Sequence, residues 1–342
     1  MTTIPEPINT IAAAIDDWHT ARQDKPRPHM GASGLGHPCD RWVWLSFRWA
    51  VIEQFDGRIL RLFRRGQNEE ATVVADLKAI GCRITHTGVN QSRVDLGGHL
   101  GGSIDGIIES GLPGAEGTRH VLEIKTHGRK SFDALVKVQS VQQAKPVHWC
   151  QMQLYMHGEG IHRALYAAVC KDTDRYYFER VRYDEKAAQA LIERGQRIST
   201  ADRMPEPISA DPSWYQCRFC PAHEFCHSSH KTREVNCRTC AHSTAQEDGQ
   251  WHCARWNAII PLDAQRTGCP SHVLHPDLVP WQMKASDDEH TAVYEINGQD
   301  VRNGKGPDAY ESGELLANPD ACTSGDDVIA RLRVNMGGRV IG

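Results

Sequence analysis

Three patterns in this chain bring together side chains able to do chemistry. The first is Val121-Leu122-Glu123-Ile124-Lys125-Thr126, whose β-branched residues and Leu read as a strand. Glu123 and Lys125 stand two residues apart, so on a strand they share a face. Burying a carboxylate and an ammonium there is costly unless a metal, a water or a phosphate joins them. Upstream, the segment Gly102 to Ile108 reads as another strand and carries a second acid, Asp105, with 17 residues between it and Glu123. Downstream, Gln151-Met152-Gln153-Leu154-Tyr155 reads as a helix with Gln151 and Tyr155 one turn apart on one face. The other two patterns are thiol clusters. Cys217-x2-Cys220-x5-Cys226 is a compact trio in want of a fourth ligand. Cys237-x2-Cys240-x12-Cys253-x15-Cys269 already has four ligands at zinc-ribbon-like distances, a metal signature wherever thiols stay reduced.

The elements that must position these groups follow from periodicity. Ile8 to Arg22 has apolar residues at helical spacing. Asp24 to Gly36 is a Pro- and Gly-rich entry loop, and a helix starts near Cys39. Gly57 to Ile80 is a long helix with a candidate break at Gly66. Its Arg58, Arg61, Arg64 and Arg65 form a basic stripe, read either as a solvated face or as a phosphate-tracking surface. Cys82 to Thr87 and Ser92 to Leu96 are short strands. His99 lies six residues before Asp105, on its face if the strand is regular; for it a structural role is favoured over a metal role. Arg129 to Val138 and Val147 to His157 are helices. Arg163 to Cys170 and Arg175 to Val181 form a hairpin, and Asp184 to Ser199 is an amphipathic helix. The expected fold is α/β, a mixed sheet flanked by helices. Ala292 to Arg302 is expected to turn at Asn297-Gly298.

Asp on one strand, Glu-x-Lys on the next and Gln-x-x-x-Tyr on the following helix resemble the PD-(D/E)XK nuclease superfamily, and within it the RecB-like and phage-type exonuclease branch. The resemblance spans about Gly31 to Ser228 and implies a restriction-endonuclease-like core that hydrolyses phosphodiester bonds. It implies that Asp105 and Glu123 bind Mg2+ or Mn2+, with the Ile124 carbonyl as a further ligand. Lys125 would orient the attacking water and stabilise developing charge, while Gln151 and Tyr155 position the acids, the water or the DNA backbone. Gly66-x-x-x-Glu70 resembles the first acidic motif of phage-type exonucleases, which makes Glu70 an added metal-site acid, weighed against a plain surface Glu. One branch holds a [4Fe-4S] cluster on one N-terminal Cys and three later ones spaced C-x2-C-x5-C; Cys39 sits where that first Cys belongs, with Cys217, Cys220 and Cys226. Four thiolates suit Zn2+ or a cluster, and the resemblance favours the cluster. For Cys237, Cys240, Cys253 and Cys269, structural Zn2+ is favoured over a second cluster. Two features depart from the branch: Ile104 stands before Asp105 instead of Pro, and Glu70 replaces an expected His.

Composition bounds the alternatives. The 342 residues are 40% hydrophobic and 24% charged, with a net charge of -4, so nucleic-acid contacts must come from local patches. No secretory or membrane-spanning stretch stands out, and the expected location is cytoplasmic. Of the 12 cysteines, Cys82, Cys150, Cys170 and Cys322 read as isolated buried residues. The expected division is 1–30 as N-terminal helix and linker, 31–230 as nuclease core with the cluster staple, 231–285 as a four-cysteine zinc-binding module, and 286–342 as a small subdomain or tail. The favoured function is a metal-dependent DNA exonuclease of recombination, repair or phage replication, acting on single- or double-stranded ends, beside a recombination or replication partner protein and no membrane. The alternative is a non-catalytic nucleic-acid-binding module with a degenerate core, against which the full Asp, Glu, Lys, Gln, Tyr set speaks. A third reading, an iron–sulfur redox protein, lacks any dinucleotide fingerprint.

Overall fold

The computed structural model describes residues 9–229, 231–288, 291–306 and 308–341. The chain groups into two units, and neither is continuous. One comprises residues up to 36, 53–96 and 100–194; the other comprises 37–52, 97–99 and 195 onward. This grouping cuts across the linear division expected above: the segment around Cys39 belongs with the C-terminal half.

The first unit begins with α1 (Thr10–Thr20), β1 (Met30–Gly31) and α2 (Ala32–Leu35); α3 (Asp40–Phe47) belongs to the other unit. There follow α4 (Gly57–Ala79), β2 (Arg83–Thr85), β3 (Arg93–Asp95), β4 (Leu100–Ser103), β5 (Gly106–Ser110) and β6 (His120–His127). Next come α5 (Arg129–Val138), α6 (Val141–Ala144), α7 (Pro146–Glu159), β7 (Arg163–Cys170), β8 (Tyr176–Arg182) and α8 (Glu185–Ser199), whose residues from Gly195 belong to the other unit. A five-stranded sheet runs β2-β5-β6-β7-β8, and a three-stranded one runs β1-β4-β3. Only β6 and β7 in the larger sheet are parallel, with Glu123 opposite Tyr166 and Lys125 opposite Ala168. A parallel pair needs a crossover, and α5, α6 and α7 supply it. Alternation then separates the two faces of β6. Leu122 and Ile124 join Val73, Val74 and Leu77 of α4 in an apolar cluster with Ile108, Leu165 and Val169. Glu123 and Lys125 are left to the face that carries α7. That helix starts with Pro146 and stops at Gly160 in the left-handed region, the usual start and stop residues. Residues Gln151 to Tyr155 are all buried.

Several expectations change here. Ile8 lies outside the described residues. Gly66 does not break α4; a Cβ there would make an ordinary packing contact, 3.7 Å from Thr126 Oγ1. The basic stripe is largely engaged. Arg61 pairs with Asp16 of α1, Arg64 meets His19 at 3.4 Å, and Arg65 donates to the Lys171 carbonyl at 2.9 Å. The strand expected to carry Asp105 is two strands: β4 and β5 belong to different sheets, and Asp105 sits at the bend between them.

In the second unit, Cys39 caps α3, whose Trp44 donates to the Ala201 carbonyl at 2.9 Å. A small antiparallel sheet holds β9 (Ser243–Ala245), β10 (Trp251–Cys253) and β11 (Ala258–Ile259). Trp251 is buried against Phe47 and His99, at 5.4 and 5.9 Å between rings, whereas Trp256 is 61% exposed. His99 therefore completes an aromatic core, and burial pushes its pKa down to about 4. Its expected alternation with Asp105 fails because the strand is interrupted. A second antiparallel sheet joins β12 (Gln282–Asp288), β13 (Thr291–Ile296) and β14 (Gln299–Gly304). Its second hairpin turns at Asn297-Gly298 as expected, with φ of 53° and 76°, the positive values that a two-residue I′ turn demands. Val301, Tyr294 and Leu315 bury their side chains with Leu274 in this unit's own core, so the C-terminal stretch is a folded part of the unit.

Candidate active site

The acids converge from three elements of the first unit. Asp105 is fixed by its bend: its Oδ2 accepts the Ile124 N–H at 2.7 Å, which ties the end of β4 to β6. Glu123 and Lys125 project from alternate positions of β6 and form an ion pair. Glu123 is fully buried, and neither carboxylate oxygen has a well-formed hydrogen bond. Glu70 comes from α4, where Gln91 Nε2 donates to it at 3.4 Å. From α7, Gln151 Nε2 donates to the Tyr155 hydroxyl at 3.2 Å. The structure thus brings Asp105, Glu123, Lys125 and Glu70 into one electrostatic cluster, with Tyr155 and its partner Gln151 beside it.

The charges conflict in a definite direction. Burial pushes Glu123 up to about 8; Lys125 opposes that shift, and Asp105 and Glu70 add to it. Burial and then Asp105 raise Glu70 to about 7, against Lys125 and Gln91. Burial also raises Asp105, partly offset by Lys125 and the Ile124 N–H. For Lys125 burial favours the neutral amine, yet Glu123 and Asp105 outweigh it and hold the ammonium above its usual range. Burial, with Glu123 next, lifts the Tyr155 hydroxyl to about 12. Three carboxyls served by one ammonium have a deficit of positive charge. Hard carboxylate oxygens suit Mg2+ or Mn2+, and Glu123, with Oε1 against Lys125 and Oε2 without a hydrogen-bond partner, is a donor of that kind. Among the described residues no group of three or more His, Cys, Asp or Glu side chains stands arranged to hold a metal ion.

Residues 21–227 match the PD-(D/E)XK nuclease superfamily. That stretch is more than half of the chain and contains every acid of the site. The chain belongs to the PD-(D/E)XK nuclease superfamily. Among solved structures, an alkaline exonuclease from Laribacter hongkongensis is similar at 18% identity with a TM-score of 0.35, covering 53% of this chain and 89% of the exonuclease. Its complex with dAMP is similar at 19% identity, with the same TM-score and coverage. No curated protein sequence matches this one.

In this PD-(D/E)XK protein, one glycine is dictated by the site. A Cβ on Gly102 of β4 would lie 2.6 Å from the Tyr155 hydroxyl oxygen, closer than packing allows. Gly102→Ala is expected to displace Tyr155, leave the protein folded, and cut turnover about tenfold. Rates on labelled DNA beside a melting curve check this; wild-type turnover would refute it.

Side chains that the sequence reading did not single out extend the site. Glu123, Lys125 and His127 continue one alternation along β6, and His148, Gln151 and Tyr155 continue one helical stripe along α7. The Tyr166 hydroxyl lies 2.9 Å from His127 Nε2 and 2.8 Å from His148 Nδ1. Burial first, then nearby lysines, push His127 down to about 4 and His148 to about 3. Both periodicities were readable, but nothing in the spacing said that β6 and α7 face each other through Tyr166.

In the second unit Cys39, Cys217, Cys220 and Cys226 line one pocket. Burial raises Cys220 to about 11, and Cys39, Cys226 and Cys217 add to the shift. In the other set burial raises Cys237 to about 12, with Cys240, Cys269 and Cys253 adding to it. All of these thiols are free.

Proposed function

We propose that the protein is a metal-dependent deoxyribonuclease acting as an exonuclease, and that Asp105, Glu123 and Glu70 hold Mg2+ or Mn2+ with the Ile124 carbonyl. The observation that carries this is the buried Glu123, without a well-formed hydrogen bond and pushed up to about 8, beside Asp105 and Glu70. A bound divalent ion supplies Lewis acidity and lowers the pKa of water. The chain's own groups do the rest. The Lys125 ammonium, held charged by Glu123 and Asp105, orients the attacking water and stabilises charge developing on the phosphate. The Ile124 N–H holds Asp105 in place, and Gln151 orients the buried Tyr155 hydroxyl. The superfamily and these roles support DNA as substrate. Recombination, repair or phage replication is the expected setting, with a recombination or replication protein as partner. Among the described residues no helix is long and apolar enough to cross a membrane.

Each thiol quartet would staple its unit, so that metal affinity becomes folding free energy. Cys39 with Cys217, Cys220 and Cys226 is assigned a [4Fe-4S] cluster, and Cys237, Cys240, Cys253 and Cys269 a Zn2+. The test uses protein purified without oxygen. A broad band near ~400 nm, with about four irons and one zinc per chain, is expected; zinc at both sites would remove the cluster and leave the nuclease. Cleavage of end-labelled linear but not circular DNA, with Mg2+ or Mn2+, is expected. No cleavage by folded protein with either metal would leave a non-catalytic nucleic-acid-binding module as the reading.

A further inference from the structure

Beyond Lys125 the site continues as a chain of hydrogen bonds that the roles above leave unused. Lys145 Nζ donates to Ser131 Oγ at 2.6 Å. Ser131 Oγ lies 3.2 Å from His127 Nδ1, and His127 Nε2 lies 2.9 Å from the Tyr166 hydroxyl. That hydroxyl lies 2.8 Å from His148 Nδ1. Tyr166 is fully buried and His127 nearly so, whereas His148 and Lys145 are half-buried. Four elements contribute: β6, β7, α5, and α7 with the residue before it.

The chain has a preferred direction. An ammonium can only donate, so Ser131 accepts from Lys145. Its own O–H can then donate to His127 Nδ1, which leaves His127 Nε2–H to donate to Tyr166 and the Tyr166 O–H to donate to His148 Nδ1. In this direction every proton inside the cluster has an acceptor, and the leading ammonium polarises each bond the same way. The reverse direction strands the Ser131 proton. The favoured direction leaves one donor over, the Nε2–H of the half-buried His148, which shares the α7 face with Gln151 and Tyr155. The cations around that imidazole are Lys125 and Lys145, a setting that favours an anion.

We infer that His148 is a phosphate contact of this site, its Nε2–H aimed by the Lys145–Ser131–His127–Tyr166 chain at a backbone phosphate of the strand being cut. This rests on the nuclease reading for its ligand, but not for its hydrogen-bond geometry. The ring nitrogens separate a contact role from a structural one. Asn at 148 keeps an acceptor near the Nδ1 position and loses the outer donor; Gln keeps a donor near Nε2 and loses the inner acceptor.

The test is steady-state cleavage of end-labelled linear DNA by wild type, His148→Asn and His148→Gln, each with a melting curve. His148→Asn is expected to raise KM about tenfold with kcat within about twofold, the signature of lost uniform binding. His148→Gln is expected to bring KM back to within about threefold of wild type. A wild-type-like Asn variant beside an impaired Gln variant would show that the ring serves only Tyr166 and overturn the contact, as would wild-type KM in both. Imidazole nitrogen shifts, read by NMR on the metal-free full chain, are expected to place the proton on Nε2 of both His127 and His148; a proton on Nδ1 of His148 would overturn the chain direction. If wild type cuts nothing, the nuclease reading fails by itself. The contact is then judged from the affinity of the three proteins for a single-stranded oligonucleotide, with a tenfold loss expected for Asn alone.

Discussion

Lys125→Ala is expected to reduce cleavage at least a thousandfold (~4 kcal/mol of lost transition-state stabilisation) while the protein still folds and binds DNA. Among the described residues Lys125 is the one ammonium in a cluster with three acids, and Glu123 and Asp105 hold it charged. No other cation among the described residues is an ion-pair partner of Glu123, so nothing in place takes over its charge. Removing it also leaves Glu123 buried without a counter-charge, which favours the protonated acid. A metal-dependent rise in melting temperature that shrinks in the variant, together with lost turnover and retained DNA affinity, checks the assignment. Cleavage near the wild-type rate would refute it.

Glu123→Gln is expected to abolish cleavage and, without metal, to stabilise the protein above neutral pH. The sign follows from proton linkage. Glu123 is raised from the ordinary carboxyl value of 4.5 to about 8, and Glu70 to about 7. Between about 4.5 and those values the native state binds more protons than the unfolded chain. Stability is therefore fully present below about 4.5 and is lost as pH rises through about 7 to 8. Wild type purified and melted without Mg2+ or Mn2+ should melt progressively lower from pH 5 to pH 8.5. Gln cannot ionise, so the variant should lose the part of this slope that Glu123 contributes and keep the part due to Glu70. Mg2+ or Mn2+ should flatten the wild-type slope, because a cation replaces the protons, and should leave the variant's slope nearly unchanged. Parallel slopes in the two metal-free proteins would mean that Glu123 ionises normally, and would remove the main support for a metal there.

Much of the site was legible in the sequence because its spacing is local. Glu123 and Lys125 share a face through strand alternation, Gln151 and Tyr155 through one helical turn, and the Asn297-Gly298 turn through its demand for positive φ. The two Cys-x2-Cys pairs were likewise visible, since each needs only a tight turn. The basic stripe of α4 was legible as a pattern but not in its fate, because Asp16, His19 and the Lys171 carbonyl come from elsewhere in the chain to engage it.

What the amino-acid order determined by itself is the set of reactive groups and the local elements that carry them: the acids, the lysine, the helix behind them and the thiol clusters. Tertiary structure decided the rest, because it depends on which distant segments pair. The crossing of β4 into β5 between two sheets turned Asp105 from a strand residue into a bend residue tied to Ile124. The interruption of that strand removed His99 from the alternation and left it in an aromatic core with Phe47 and Trp251. The parallel pairing of β6 with β7 put Tyr166 opposite Glu123, within reach of two histidines 21 residues apart in the sequence. Local periodicity sets the face on which a side chain lies. Only the pairing of strands and the packing of α7 across them set what that face meets.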